Sequence, residues 1–136
     1  RRQRQMCIRD RANSFKSTIL LNSNGDFKAV DLPYEAQLSS INDFIVEDYN
    51  DDGNMDILAI GNLYNAEVET PRNDAGNGIF LIGNGDGTFS SKLRKDSGFF
   101  APSDAKKIIP IKVKEDKGIL VGNNNDLLQF FKAIQP

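Results

Sequence analysis

The densest set of chemistry-bearing residues lies in one short stretch, Asp48-Tyr49-Asn50-Asp51-Asp52-Gly53-Asn54-Met55-Asp56, flanked by the β-rich runs 41–47 and 55–60. Counted from Asp48, oxygen-bearing side chains fall at position 1 (Asp48), 3 (Asn50), 5 (Asp52) and 9 (Asp56), with Gly53 at 6 and Asn54 at 7. A tightly turning loop aims alternate side chains inward, and calcium takes about six to eight hard oxygen ligands. Asp48, Asp52 and Asp56 would supply a formal charge of −3, and Asn50 a neutral oxygen. Asn54 would add its backbone carbonyl, while Asp51 and Met55 point away. Gly53 permits the sharp turn, because without a Cβ it adopts positive φ at little cost. An EF-hand would place a bidentate Glu at position 12, where this chain has Ala59 inside an apolar run. The loop therefore has the spacing of an EF-hand without its helices. The alternative is a solvated Asp/Asn turn, which requires three converging carboxylates to splay apart, since without a cation they repel.

Other chemistries are excluded by composition. The 136 residues contain no histidine, which removes His-based triads, imidazole bases and the usual His-containing zinc sites. Cys7 is the one cysteine, so no disulfide framework is available. Hydrophobic residues make up 39% and charged residues 26%, the balance of a globular chain, and no apolar run reaches the roughly 18 residues of a membrane span. Residues 1–11, RRQRQMCIRDR, have neither strand nor helix periodicity and no apolar stretch after them, so they are not a signal peptide. They read as an artefactual segment, of the kind that adapter read-through leaves; a basic arm is the alternative. Five of the 17 basic and one of the 19 acidic residues lie there, leaving 12 and 18 and a net charge of −6 for the body. An acidic body argues against nucleic acid as a partner.

The elements that must position the loop are short strands punctuated by Gly, Asn and Asp. Strands are expected at 17–21, 27–32, 41–47, 55–60, 79–82, from Phe89, and at 108–113, 119–121 and 127–131; no stretch sustains a helical period beyond two turns. Asn22-Ser23-Asn24-Gly25-Asp26 and Asn84-Gly85-Asp86-Gly87 read as hairpin turns, the second in preference to a phosphate loop because no helix follows it. The pattern repeats: Phe27 matches Phe89 at an offset of 62, and Gly61-Asn62 matches Gly122-Asn123 at an offset of 61. Repeats of several short strands point to propeller blades, here enlarged by an insertion at 63–77. The expected architecture is all-β, a partial β-propeller of about two blades of antiparallel four-stranded sheet. The end of one blade is expected at 14–34, a full blade at 41–95 and an incomplete last blade at 104–132, whose edge at 127–132 awaits pairing.

Asp48 to Asp56, followed by Ile57-Leu58-Ala59-Ile60-Gly61-Asn62 and by Gly83-Asn84-Gly85-Asp86-Gly87-Thr88-Phe89, resembles the FG-GAP/VCBS repeat of integrin α-subunit propellers and of large secreted bacterial proteins. The resemblance covers roughly residues 14–132 and is nearest to the C-terminal part of such bacterial proteins. It implies a propeller with calcium in the loop between the first two strands of a blade. The corresponding Lys114-Glu115-Asp116-Lys117 is too short and too basic to hold calcium, so one site is expected, made by Asp48, Asn50, Asp52, Asn54 and Asp56. The implied function is non-catalytic: a calcium-binding module for adhesion or scaffolding, outside the cell, in the periplasm or at the cell surface. Its partners would be a protein or glycan ligand and the remaining blades of the same chain. The alternative is an accessory part of a secreted propeller enzyme, such as a polysaccharide hydrolase, with its catalytic residues elsewhere. Glu67, Glu69, Arg72 and Asp74 on the insertion read as a solvated loop rather than a glycosidase carboxylate pair. Phe99-Phe100 and Phe130-Phe131 read as packing residues.

Overall fold

The computed structural model describes residues 12–114 and 116–132. The artefact assigned to residues 1–11 and Glu115 of the basic turn lie outside them. The described residues form nine strands in three antiparallel sheets. The first sheet pairs β1 (Thr18–Ser23) with β2 (Asp26–Asp31). The second runs in chain order through β3 (Ile41–Glu47), β4 (Asp56–Gly61), β5 (Ile79–Gly83) and β6 (Phe89–Lys92). The third is β7 (Ala105–Val113), β8 (Asp116–Asn123) and β9 (Gln129–Lys132). Successive up-and-down sheets packed face to face are the architecture of a partial β-propeller. The only helical pieces among the described residues are a 3-10 turn, Tyr34–Gln37, and one α-turn, α1 (Arg94–Ser97), closed by Gly98 in the left-handed region. No helix among the described residues is long and apolar enough to cross a membrane.

β4 explains the stacking. Its six residues, Asp-Ile-Leu-Ala-Ile-Gly, are all buried, as expected of a strand covered on both faces. Because side chains alternate along a strand, the run feeds two cores. Leu58 and Ile60 pack with Phe99, Ala101, Ala105, Ile108, Ile119 and Val121 against the third sheet. Ile57 and Ala59, with Leu81, pack against Ile19 and Leu32 of the first sheet region. Each fully buried Leu or Ile contributes roughly 1.5–3 kcal/mol. Phe99 and Phe131 meet at 4.9 Å within the core, while Phe130 turns to the outer face, where it covers Gly118. β9 pairs with β8 on one side only among the described residues.

The second and third sheets open in the same way. β3 and β7 both carry a bulge near their start, at Ile41/Asp43 and Ala105/Lys107. Two strand starts come earlier than their apolar runs. β7 begins at Ala105 rather than Ile108 because Ala105 and Lys107 already pair with Asn123 and Gly122 of β8. β8 begins at Asp116 because Lys114, at φ 57°, closes the hairpin tightly.

The joint between the second and third sheets also carries charge. Asp43 Oδ2 accepts from the Ile108 N–H (2.9 Å) and contacts Lys107 Nζ (2.9 Å). Asp104, 2% exposed, contacts Lys106 Nζ at 2.5 Å off the hydrogen-bonding direction and accepts from Asn124 Nδ2 at 3.0 Å. Burial works to raise the pKa of Asp43, but the Ile108 N–H and Lys107 outweigh it and hold the carboxyl below the ordinary 3.8. Asp104 is likewise held below 3.8: burial works against it, and Lys106 and then Asn124 prevail. A depressed folded-state pKa stabilises above the unfolded value and is lost as pH falls through the folded one. The urea midpoint is therefore expected to be level down to about pH 4 and to fall below it, with Asp43→Asn showing a shallower acid slope than wild type. An identical slope in the two proteins would contradict this role for Asp43.

Candidate metal centre

The β3–β4 loop is folded by its own carboxylates. Asp51 (φ 56°) and Gly53 (φ 86°) take the left-handed region and reverse the chain twice within three residues. The N–H groups exposed by this reversal point inward and find side-chain oxygens. Asp48 accepts from Asp52 N through Oδ1 (3.2 Å) and from Gly53 N through Oδ2 (2.8 Å). Asn50 Oδ1 accepts from the same Asp52 N (3.1 Å), and Asn50 Nδ2 donates to Asp52 Oδ2 (2.8 Å). Asp52 Oδ1 accepts from Asn54 N (2.7 Å). Two oxygens from different residues thus converge on one N–H, and a third residue is tied to them. The Asn54 N–H, and then the Asn50 amide, hold the Asp52 carboxyl below the ordinary 3.8, so it stays ionised and available.

The structure separates the five residues expected at the site into two roles. Asp48, Asn50 and Asp52 are brought together at the loop surface. Asn54 joins them through its backbone, and its side chain covers Gly85 of the neighbouring turn. Asp56 sits beneath them, fully buried. Its Oδ1 accepts from Gly83 N (2.9 Å) and its Oδ2 from Tyr49 N (3.1 Å), so it bolts the start of the loop to the end of β5. Gly83 is required there, since a Cβ would come within 2.3 Å of the Met55 carbonyl. Met55 and Asp51 are exposed, as are Asn50 and Asp52. Among the described residues, no three His, Cys, Asp or Glu side chains form one metal-holding group.

The donor chemistry nonetheless fits a hard cation: every side chain offered is an oxygen donor, and each carboxylate oxygen engaged by one N–H keeps a second lone pair. Tyr49, at position 2, was not singled out by spacing. It turns into the core and meets Phe80 edge-on at 5.7 Å. Burial, with the charges of Glu47 and Asp56, pushes its phenol well above the usual range, so it is neutral and structural. Its position directly after Asp48, between strand and turn, is the only sequence signal for this inward anchor.

The adjoining charges are also placed. Lys117, from the basic turn of the third sheet, donates to Glu47 Oε1 at 2.8 Å, and Glu47 followed by Asp51 raises its pKa. The turn expected to be a degenerate counterpart of the loop therefore lends it a positive charge. Asn84 to Thr88 form the hairpin turn expected of them: Asn84 N donates to the Thr88 carbonyl (3.0 Å), and Thr88 N donates to Asp86 Oδ1 (2.8 Å).

Asn62, marked in the sequence only as the end of a Gly-Asn pair, dominates the opposite end of β4. Asn62 is fully buried with φ 85°. Its Nδ2 donates to the carbonyls of Gly76 (2.8 Å), Pro102 (2.9 Å) and Ser103 (3.1 Å), and its Oδ1 accepts from Gly76 N and Ser39 Oγ, both at 2.8 Å. It joins the insertion, the loop before β3 and the loop before β7. The insertion itself is pinned by a Leu63–Asn73 bridge, with Arg72 paired to Asp74 (2.6 Å) and lying over the Tyr64 ring. Glu67 and Glu69 stay exposed on it. No known protein family, curated protein or solved structure compared with the chain matches it.

Proposed function

We propose that this chain is part of a calcium-stiffened β-propeller of the FG-GAP/VCBS type, a non-catalytic module that binds a partner or positions its neighbours outside the cytoplasm. The observation that carries this reading is the convergence of Asp48 and Asn50 oxygens on Asp52 N, with Asp52 tied alongside. Such a loop pays little to organise around an ion, because its turn is already held. Asp48, Asn50 and Asp52 would hold calcium with their side chains and Asn54 with its carbonyl, while Asp56 supplies charge from below and fixes the base of the loop. The ion would neutralise repulsion between the carboxylates and tie β3 to β4 and β5. A site of this charge and exposure belongs with extracellular calcium modules, whose affinities are roughly 10⁻⁴–10⁻³ M. The blade boundaries at 14–34, 41–95 and 104–132 belong to the same reading.

Binding to the folded state alone raises stability by RT ln(1 + [L]/Kd). At 10 mM calcium this is about 1.4–2.7 kcal/mol for that affinity range, an expected rise in unfolding temperature of about 5–10 °C. Thermal unfolding with calcium, with an equal concentration of magnesium and with chelator checks it. A midpoint that calcium moves no more than magnesium would refute a calcium-specific site.

A further inference from the structure

β4 begins at Asp56, beside the acidic loop, and ends at Gly61, beside the insertion. At this second end, remote from the loop, a cavity of about 190 Å³ opens between the second and third sheets. It is lined by Tyr64 and Asn65 of the insertion, by Asn124, Asn125 and Asp126 of the β8–β9 turn, and by Asp104. The walls are held in place. Tyr64 OH donates to the Pro102 carbonyl (3.1 Å), Asn124 Nδ2 to Asp104 (3.0 Å), and Ser103 Oγ to Asp126 Oδ2 (2.9 Å). Asn65 and Asn125, which both line the cavity, make no side-chain hydrogen bond with any described residue. Each leaves two N–H donors and a carbonyl acceptor for a guest.

The chemistry of the lining selects among guests. Two carboxylates, Asp104 and Asp126, disfavour phosphate, sulfate or carboxylate ligands. A bare cation is disfavoured too, because Lys106 already neutralises Asp104 and Asp126 is occupied by Ser103 and the Leu127 N–H (2.7 Å). What remains complementary is a neutral molecule rich in hydroxyls. Neighbouring hydroxyls can bridge an amide's carbonyl and N–H, and a further hydroxyl can donate to a carboxylate lone pair; Tyr64, with Arg72 over one face of its ring, adds an apolar edge to the lining. The volume is below the roughly 300–1,000 Å³ of drug-sized sites, which limits the guest to about one ring. We propose that the cleft between the insertion and the β8–β9 turn binds a neutral glycan through a single pyranose unit. This deepens the reading of the chain as a binding module and rests on it for the biological role, but not for the chemistry.

The test is saturation-transfer NMR on the full chain in calcium, with the methyl glycosides of glucose, galactose, mannose, fucose and N-acetylglucosamine, and with glucuronate and glucose 6-phosphate as charged counterparts. Transfer to at least one neutral glycoside is expected, reduced about fivefold or more by Asn65→Ala and by Asn125→Gly, each the loss of roughly 1 kcal/mol of hydrogen bonding. Glycine is chosen at Asn125 because its φ is 55°. Glu69→Ala, exposed on the same insertion, should leave the signal unchanged. No transfer to any neutral glycoside, stronger transfer to the charged sugars, or a signal indifferent to both asparagine variants would overturn the proposal. Thermal unfolding of the same samples with calcium separates the two readings. A calcium-stabilised chain without sugar contact removes the glycan site alone, whereas sugar contact without calcium stabilisation removes the metal site alone.

Discussion

Asp56→Ala is expected to destabilise the chain by about 3–5 kcal/mol and to abolish calcium binding with it. The carboxylate is fully buried, and each oxygen accepts from a different backbone N–H: Gly83 at the end of β5 and Tyr49 at the start of the loop. Alanine leaves both donors without acceptors in a place water reaches poorly, at about 1–3 kcal/mol for each unsatisfied group. Asp56→Asn keeps one carbonyl oxygen but sets an amide N–H₂ against the other donor, so it should fall between wild type and alanine. Urea unfolding measures the loss. Amide hydrogen exchange at Tyr49 and Gly83 locates it, since both protons should exchange faster in the variants while those of β8 hardly change. A loss below 1 kcal/mol would mean that Asp56 is not the bolt described.

Asn62→Ala should cost a similar or larger amount, about 4–6 kcal/mol, through a different mechanism. Five side-chain hydrogen bonds disappear, three of them to carbonyls in the insertion and in the loop before β7. The backbone adds to this, because φ 85° suits asparagine and penalises alanine by roughly 1–2 kcal/mol. Asn62→Gly relieves the backbone but not the hydrogen bonds, so the difference between the two variants should isolate that smaller part. Asn62→Asp is expected to be at least as damaging as alanine: it keeps the acceptor, removes the donor, and turns a charge toward three carbonyl oxygens. Stability near wild type for Asn62→Asp would show that the amide donor is dispensable.

These two residues also mark the limit of what the bare sequence reveals. The strands are legible because their signals are local: β4 is a continuous apolar run, β3 alternates, and the Asn-Gly and Gly-Asp turns between strands carry their own backbone chemistry. The loop at Asp48 is legible as a tight reversal because Gly53 and its Asp and Asn side chains are the residues that fold one. Asp56 was legible as a carboxylate at the right position, but not as one buried with both oxygens on backbone N–H groups. That depends on how β5 lies against the loop, a contact between residues 27 positions apart. Asn62 was visible only as the end of a repeated Gly-Asn pair, since its partners at Ser39, Gly76, Pro102 and Ser103 share no motif with it. Asp43 and Asp104 were silent for a similar reason: Asp43 gains meaning only when β7 of the neighbouring sheet supplies its donors, and Asp104 only when the far end of β8 brings Asn124 back to it. The two helical turns were too short for any period to register.

The bulge that β3 and β7 share sets Asn42 and Lys106 at equivalent points of the two strands. Both reach the Asn62 carbonyl, at 2.7 and 3.1 Å. The two bulges therefore meet at a polar joint built around one residue. The acidic loop and this joint lie at opposite ends of β4, so a cation at one end would stiffen the same strand that the amide fixes at the other.

The central claim is that the Asp48–Asp56 loop takes calcium, and isothermal calorimetry of the full chain against Asp52→Ala tests it most directly. Asp52 is fully exposed and holds only loop groups, so its loss should leave the folded core intact. Wild type should give a single-site calcium isotherm with a dissociation constant of roughly 10⁻⁴–10⁻³ M or tighter. Asp52→Ala should weaken it about tenfold or more through the lost charge and oxygen. Equal heats from the two proteins, whether both bind or neither does, would contradict the account.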